Sequence, residues 1–487
     1  MILYFSAAWC AECKVMTPLV ERLEKDLPEV KIQKIDADAR PELRDAYHIL
    51  GVPAFVLIPD DMAHNAAETA PLELARAAGV MRYEELKNFA LSLRVFRAGG
   101  RTELAGNHTD HNFGKALAAT VQLACTAWVV AHNGTQVVFK SKGYDDVTVD
   151  IADTQKHSEE YGKTEALIRG IAAKLRERGI SPGGFTAYAE NAVPTGAGLS
   201  SSAAIEVLLV RIFMALNGGA ALGVTEIAKI GQYAENVYFG KPCGLLDQIS
   251  SAADGTVAID FSPLAVNHDG LPKIEKFCFD PRTYGFALCV TNTGGSHAGL
   301  TEFYAAIPAE MQAVAQVFGK KNLRQIASAD EDALALLLQN AQKVRTLCGD
   351  RALLRALHFF TENIRVDALT QLLIDAANDA AATETKNKSE FMHAYLRLVQ
   401  ESGDSSLALL QNADTYSDAK NQQILLALSL TKNFLRTNNA EGAVRVHGGG
   451  FAGTVQAYIP CELFDGYKTF MQHIFGENSV TELFLTA

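Results

Sequence analysis

Between a strand-like run at 185–189 and an apolar helical run at 201–216, the sequence reads Val193-Pro194-Thr195-Gly196-Ala197-Gly198-Leu199-Ser200-Ser201-Ser202-Ala203-Ala204. A glycine- and serine-rich loop in that place commits the chain to a strand followed directly by a helix. Such a loop aims successive backbone N–H groups from a helix N-terminus at one point, which suits a polyphosphate. The serine hydroxyls add donors or metal ligands. The run is not a P-loop, because no Gly-Lys-Ser/Thr follows at the required spacing, and not a dinucleotide fingerprint, because the third glycine is missing. A structural helix cap has the same composition, so the loop alone leaves both readings open.

The chain has 487 residues, too many for one ordinary core, and two or three domains are expected. Its net charge of -12 argues against nucleic acid, which needs a basic face. No apolar run approaches a membrane span, and Ile2-Leu3-Tyr4-Phe5 reads as a strand, not as a signal peptide. A cytoplasmic protein with no nucleic-acid or membrane partner is expected. Of 8 cysteines only Cys10 and Cys13 are closely paired, which is no disulfide framework.

Those two cysteines lie in Trp9-Cys10-Ala11-Glu12-Cys13, between the strand Ile2–Ser6 and a helical pattern over 13–27. A Cys-x-x-Cys at a strand-to-helix junction sets its first thiol on the positive end of the helix dipole, so Cys10 is the more nucleophilic sulfur. Half a zinc site is the competing reading, but no second pair has ligand spacing. With Trp9 ahead of the pair, Lys14 after it, Pro18 in the helix and Gly51-Val52-Pro53 before the strand 54–58, residues 1–93 resemble thioredoxin. The resemblance implies an α/β domain, a cis Pro53 facing the cysteines, and Cys10 and Cys13 as a candidate redox pair. The match starts at that family's central strand, and Tyr4 stands where thioredoxins commonly carry a buried Asp. Active dithiol chemistry and a slow accessory domain both remain open.

No Gly/Ser or Pro linker separates 84–89 from 94–97, so the next domain should begin at once and dock on the first. Leu93 to Ala98 reads as a short buried strand, after which Gly99-Gly100 should turn the chain sharply. There follows Arg101-Thr102-Glu103-Leu104-Ala105-Gly106-Asn107-His108-Thr109-Asp110-His111-Asn112. This concentration of a cation, carboxylates, amides and imidazoles can grip the hydroxyls of a small polyol, or form a polar surface turn. Strands are expected at 136–140, 147–151, 185–189 and 256–261, and helices at 164–178, 201–216 and 225–239. Long helices are expected at 302–318, 332–347, 353–378, 389–400 and 419–436, then strands at 443–446 and 454–459. Mixing without regular βαβ alternation indicates α+β.

Within Ala234-Glu235-Asn236-Val237-Tyr238-Phe239-Gly240-Lys241-Pro242-Cys243-Gly244-Leu245-Leu246-Asp247-Gln248, two acids lie on or next to helices, where an acid is ordinarily just solvated. A last run, His447-Gly448-Gly449-Gly450-Phe451-Ala452-Gly453-Thr454, alone is a glycine-rich hairpin.

In this order, the runs at 99–112, 193–204 and 447–454 resemble the three signatures of galactokinases within the GHMP kinases, and the resemblance spans 94–487. It implies a two-lobed α+β kinase fold, 94–290 and 291–487, that phosphorylates galactose at the anomeric hydroxyl with ATP and Mg²⁺. By resemblance Gly196, Ala197, Gly198, Leu199, Ser200, Ser201 and Ser202 cradle the nucleotide, with Ser141 matching more loosely. Ser202 and Glu235 correspond to the Mg²⁺ ligands. Asp247 corresponds to the group that receives the hydroxyl proton, with Arg101 against it; a guanidinium there favours the carboxylate and offsets charge on the transferred phosphoryl. Whether Asp247 removes the proton or orients the hydroxyl stays open. Asn107, His108, Thr109, Asp110, Gly244 and Tyr304 match sugar-binding positions. Gly99 replaces a usual Pro, Asn107 a common Glu, and Ala452 a Gly. A kinase for another hexose or an amino sugar, a non-catalytic sugar or ATP sensor, and a thiol-disulfide redox protein are the alternatives.

Overall fold

The computed structural model describes residues 1–60, 72–194, 196–218, 221–266, 270–295, 299–378, 385–415 and 417–486; Thr195 of the glycine-serine loop lies outside them. The first unit is a four-stranded sheet in the order Ile32–Asp36, Ile2–Ser6, Ala54–Leu57, Ala75–Ala78, with helices Ala11–Asp26 and Tyr83–Leu91. Ile2–Ser6 is buried on both faces. Ile2 and Tyr4 pack with Met16 and Val20 of the first helix, while Leu3 and Phe5 pack with Leu43 and Tyr47. The Val52–Pro53 bond is cis, and Cys10 and Cys13 form a disulfide at the start of the helix. Tyr4, in place of an acid, donates its hydroxyl to the Cys13 carbonyl at 3.3 Å and stacks on Phe55.

One residue separates the helix Tyr83–Leu91 from the strand Leu93–Ala105, and the two units share an apolar cluster. Trp128, Val130 and Tyr188 of the second unit are buried in it together with Leu86, Ala90 and Phe55 of the first. Trp128 and Val130 lie on Lys115–Ala131, a 17-residue strand at the middle of a seven-stranded sheet. On its other face Ala127 and Val129 pack with the helices Thr164–Glu177 and Ser201–Leu216. Because both faces are buried, the strand shows no polar alternation.

The seven-stranded sheet runs Lys273–Phe277, Thr256–Asp260, Lys115–Ala131, Phe185–Asn191, Gln136–Ser141, Val147–Asp150, with Leu93–Ala105 paired to the other edge of the long strand. A second sheet, Ala443–His447, Thr454–Pro460, Phe286–Asn292, Val480–Leu483, carries the last lobe with helices including Thr301–Val317 and Asp350–Asn378. Phe286–Asn292 belongs wholly to this second sheet. No helix among the described residues is long and apolar enough to cross a membrane.

Two expectations are corrected. The chain does not turn at Gly99-Gly100: the strand continues to Ala105 through a bulge between Gly99 and Arg101. These glycines serve close approach, since a Cβ on Gly99 would meet Thr120 Cγ2 at 2.4 Å and one on Gly100 the Leu199 carbonyl at 2.7 Å. The helix expected over 332–347 is two, Asp330–Gln339 and Ala341–Cys348, broken at Asn340.

Candidate active site

The strand Leu93–Ala105 brings Arg101 beneath the glycine-serine loop, where its backbone N–H donates to the Leu199 carbonyl at 2.9 Å. Its guanidinium donates to the Gly198 carbonyl and, through Nε at 2.8 Å, to Asp247 Oδ1. Asp247 opens the helix Leu246–Ala252; its second oxygen accepts from the Ser200 hydroxyl at 2.5 Å. Burial alone would raise the Asp247 carboxyl, but Arg101 and Ser200 outweigh it and hold the acid below its ordinary value. One partly exposed carboxylate is thereby fixed between a buried cation and the loop.

Gly196, Gly198 and Ser200 have positive φ, which wraps the loop ahead of the helix Ser201–Leu216. Ala197 and Leu199 are buried and contribute backbone only. A Cβ on Gly198 would strike His447 Nδ1 and Thr454 Oγ1 at 2.8 Å, and Thr454 donates to the Ala197 carbonyl at 3.2 Å. The last lobe therefore holds the loop from behind. Ser201 and Ser202 are half-buried on the first helical turn. Ser141 ends a strand in parallel register with Ala189, near the end of the strand from which the loop departs.

Glu235 sits where the helix Val224–Tyr233 widens into a π turn, Ala234–Phe239. It is buried, with Oε1 3.1 Å from Lys241 Nζ and Oε2 accepting from Gln248 Nε2 at 3.1 Å. The same Gln248 amide donates to Glu206 Oε2 at 2.9 Å, and the buried Glu206 Oε1 has no hydrogen-bond partner. Burial, then repulsion from Glu235, raises the Glu206 carboxyl well above its ordinary value. Glu206, within the apolar run after the serines, escaped the sequence reading because nothing in its spacing marks it. Glu235 and Ser202 are hard oxygen donors, and Mg²⁺ commonly takes one or two carboxylates and completes its shell with substrate phosphates and water. Among the described residues no group of three or more acids, cysteines or histidines is placed to hold a metal ion.

Three of the sugar candidates converge on the glycine run of the last lobe. Its three successive carbonyls, Gly448, Gly449 and Gly450, accept from Asn107 Nδ2 at 2.8 Å, His108 Nε2 at 2.9 Å and the Tyr304 hydroxyl at 2.8 Å. Asp110 lies so close to Gly244 that a Cβ there would meet its carboxylate at 2.0 Å, which is why this position has no side chain. Thr109 is turned inward: its buried hydroxyl donates to the Gly106 and Lys115 carbonyls at 2.9 and 2.6 Å and closes the turn. Asn107 is likewise buried and bonded to protein. Burial, and then the neighbouring His111, lowers His108 to about 4, so its imidazole is neutral at neutral pH. An NMR titration of that ring should show no inflection between about pH 5 and 8, the range of an unperturbed histidine; an inflection there contradicts this environment.

Residues 86–130 match the galactokinase galactose-binding signature, 166–255 the GHMP kinase N-terminal domain, and 1–76 thioredoxin. Galactokinase of Glaesserella parasuis is 27% identical over 404 residues, covering 82% of this chain and 92% of its own. Galactokinase of Streptomyces coelicolor is 31% identical over 284 residues, 57% of this chain and 68% of its own. The chain belongs to the galactokinase family. Among solved structures, Lactococcus lactis galactokinase complexed with galactose superposes with a TM-score of 0.64 at 20% identity, over 83% of this chain and 98% of that one. Methanococcus jannaschii mevalonate kinase follows the same fold with a TM-score of 0.54 at 13% identity, over 81% and 99%. In this member the GHMP fold carries a thioredoxin-like unit on its sheet.

Proposed function

We propose that the protein transfers the γ-phosphoryl group of ATP to the anomeric hydroxyl of galactose. The observation that carries this reading is Asp247, with one oxygen on Arg101 and the other on Ser200 of the glycine-serine loop. A carboxylate so placed accepts or orients the proton of a hydroxyl at the point where the loop delivers a phosphoryl group. Arg101 offsets negative charge as it builds, and the backbone N–H groups of 196–202 hold the phosphates. Ser202 and Glu235 would hold Mg²⁺, which when bound neutralises phosphate charge. His108, Asp110, Gly244 and Tyr304 form the sugar side. ADP formation measured across a panel of free hexoses tests the reading: galactose should give the highest kcat/KM, well above glucose, and equal efficiency on the two would refute the sugar assignment.

The thioredoxin-like unit is read as structurally coupled and unnecessary for the chemistry. Every proposed catalytic position lies at or after Arg101, and Cys10 and Cys13 sit in a small cluster with Ala7 that is separate from the docking cluster. Replacing both cysteines with Ser should leave galactose turnover within about twofold in oxidising and reducing buffer, since the pair lies apart from the cluster that docks this unit on the kinase. A rate that switches with dithiothreitol only when both cysteines are present would establish redox control instead.

A further inference from the structure

We propose that Asn107 is a positioning residue that ties the sugar loop to the last lobe and makes none of its hydrogen bonds to the sugar; this rests on the galactose-kinase reading. An Asn side chain has two N–H donors and one oxygen with two acceptor sites. Asn107 Nδ2 donates to Glu103 Oε1 at 3.1 Å and to the Gly448 carbonyl at 2.8 Å. Its Oδ1 accepts from Asn412 Nδ2 at 2.7 Å and from Ser406 Oγ at 3.4 Å. Every site is taken, and the residue is buried. These partners come from the strand just ahead of it, the glycine run and the segment after the helix Thr385–Ser405, so the amide joins the two lobes.

The surroundings also explain why an amide stands where the family commonly has a carboxylate. Glu103 and the Gly448 carbonyl are both acceptors, and a glutamate or aspartate at 107 would offer them only further lone pairs. The carboxyl group stands instead at Glu103, whose Oε1 accepts from the fully buried Arg445 at 2.6 Å. The backbone on either side is fixed by one helix, Asp350–Asn378: His358 Nε2 donates to the Asn107 carbonyl at 2.9 Å, and the Gly106 N–H donates to Glu362 Oε1 at 2.9 Å. With Gly448 pinned by Asn107, the next two carbonyls meet His108 and Tyr304, so the tie sets the positions of two sugar-facing groups. Recognition of sugar hydroxyls then falls to His108, Asp110 and Tyr304.

The test is steady-state kinetics of wild type, Asn107→Ala and Asn412→Ala on galactose and on each monodeoxy galactose that keeps the anomeric hydroxyl. Losing one buried hydrogen-bond partner should lower kcat/KM by roughly tenfold to a hundredfold. The factor should be the same for every sugar, and should appear in the sugar KM with kcat and the ATP KM held within about twofold. A direct contact predicts otherwise: for one deoxy sugar Asn107→Ala would change nothing, and that pattern overturns the proposal. Should Asn107→Ala fail to fold, Asn412→Ala carries the test, and no loss on any sugar overturns it. If the wild type does not turn over galactose, the functional reading fails on its own. The tie is then judged by amide exchange of residues 448–450, which should be faster in Asn412→Ala; unchanged exchange refutes it.

Discussion

Asp247→Asn is expected to lower galactose turnover about a thousandfold, within the range general-base positioning supplies, while calorimetric galactose affinity changes by less than about threefold. The amide keeps the shape of the carboxylate but no longer attracts a proton, and it pairs poorly with the donors Arg101 and Ser200. The loss should therefore fall on kcat and kcat/KM alike. The pH profile follows from the same contacts. The Asp247 carboxyl is held below its ordinary value, so it is ionised throughout the neutral range, and its contribution disappears only as pH falls through that lowered value. Removing the guanidinium should move this acid limb upward, because burial, the largest opposing influence, is then less opposed. Near-normal turnover of Asp247→Asn would remove that carboxylate from the mechanism.

Deleting residues 1–91 is expected to abolish soluble expression or lower the thermal midpoint sharply. The deletion strips the cover from Trp128, Val130 and Tyr188, all buried in the shared cluster. At about 25 cal/mol per Å² and about 150–250 Å² for each of the two aromatic side chains, the lost burial is on the order of 10 kcal/mol. That is comparable with the whole stability of many domains. The uncovered sheet face would also be an aggregation surface. Changing Trp128 and Tyr188 to polar residues in the truncated chain should recover part of the solubility. A truncated protein with unchanged thermal midpoint would show that the first unit is a passenger.

How far the sequence alone reaches depends on what each residue packs against. The helix Ser201–Leu216 was legible to the residue, because a glycine-serine loop and an apolar run mark both its start and its extent. The strand Lys115–Ala131 was not, because both its faces are buried and it lacks the period-two signature. Gly99 and Gly100 signalled a turn by composition, yet they are there to admit Thr120 and Leu199. In the site, Arg101 and Asp247 were placed together by family resemblance, and the structure sets them 2.8 Å apart. The buried polar groups behind the sugar loop carry no mark in the sequence: His358, Glu362 and Asn363 lie inside the helix expected over 353–378, and only the fold turns them onto the loop. Glu103, similarly, reads as one more polar loop residue until Arg445, more than three hundred positions later, is seen beside it.

Phosphoryl transfer from ATP to the anomeric oxygen of galactose is decided by the structure of the product. Wild-type protein incubated with galactose, ATP and Mg²⁺ should yield ADP and a sugar phosphate in equal amounts. In the NMR spectrum of that product the phosphorus should couple to the anomeric proton. A phosphate coupled to any other carbon-bound proton of the sugar, or ADP formed without a sugar phosphate, would rule this transfer out.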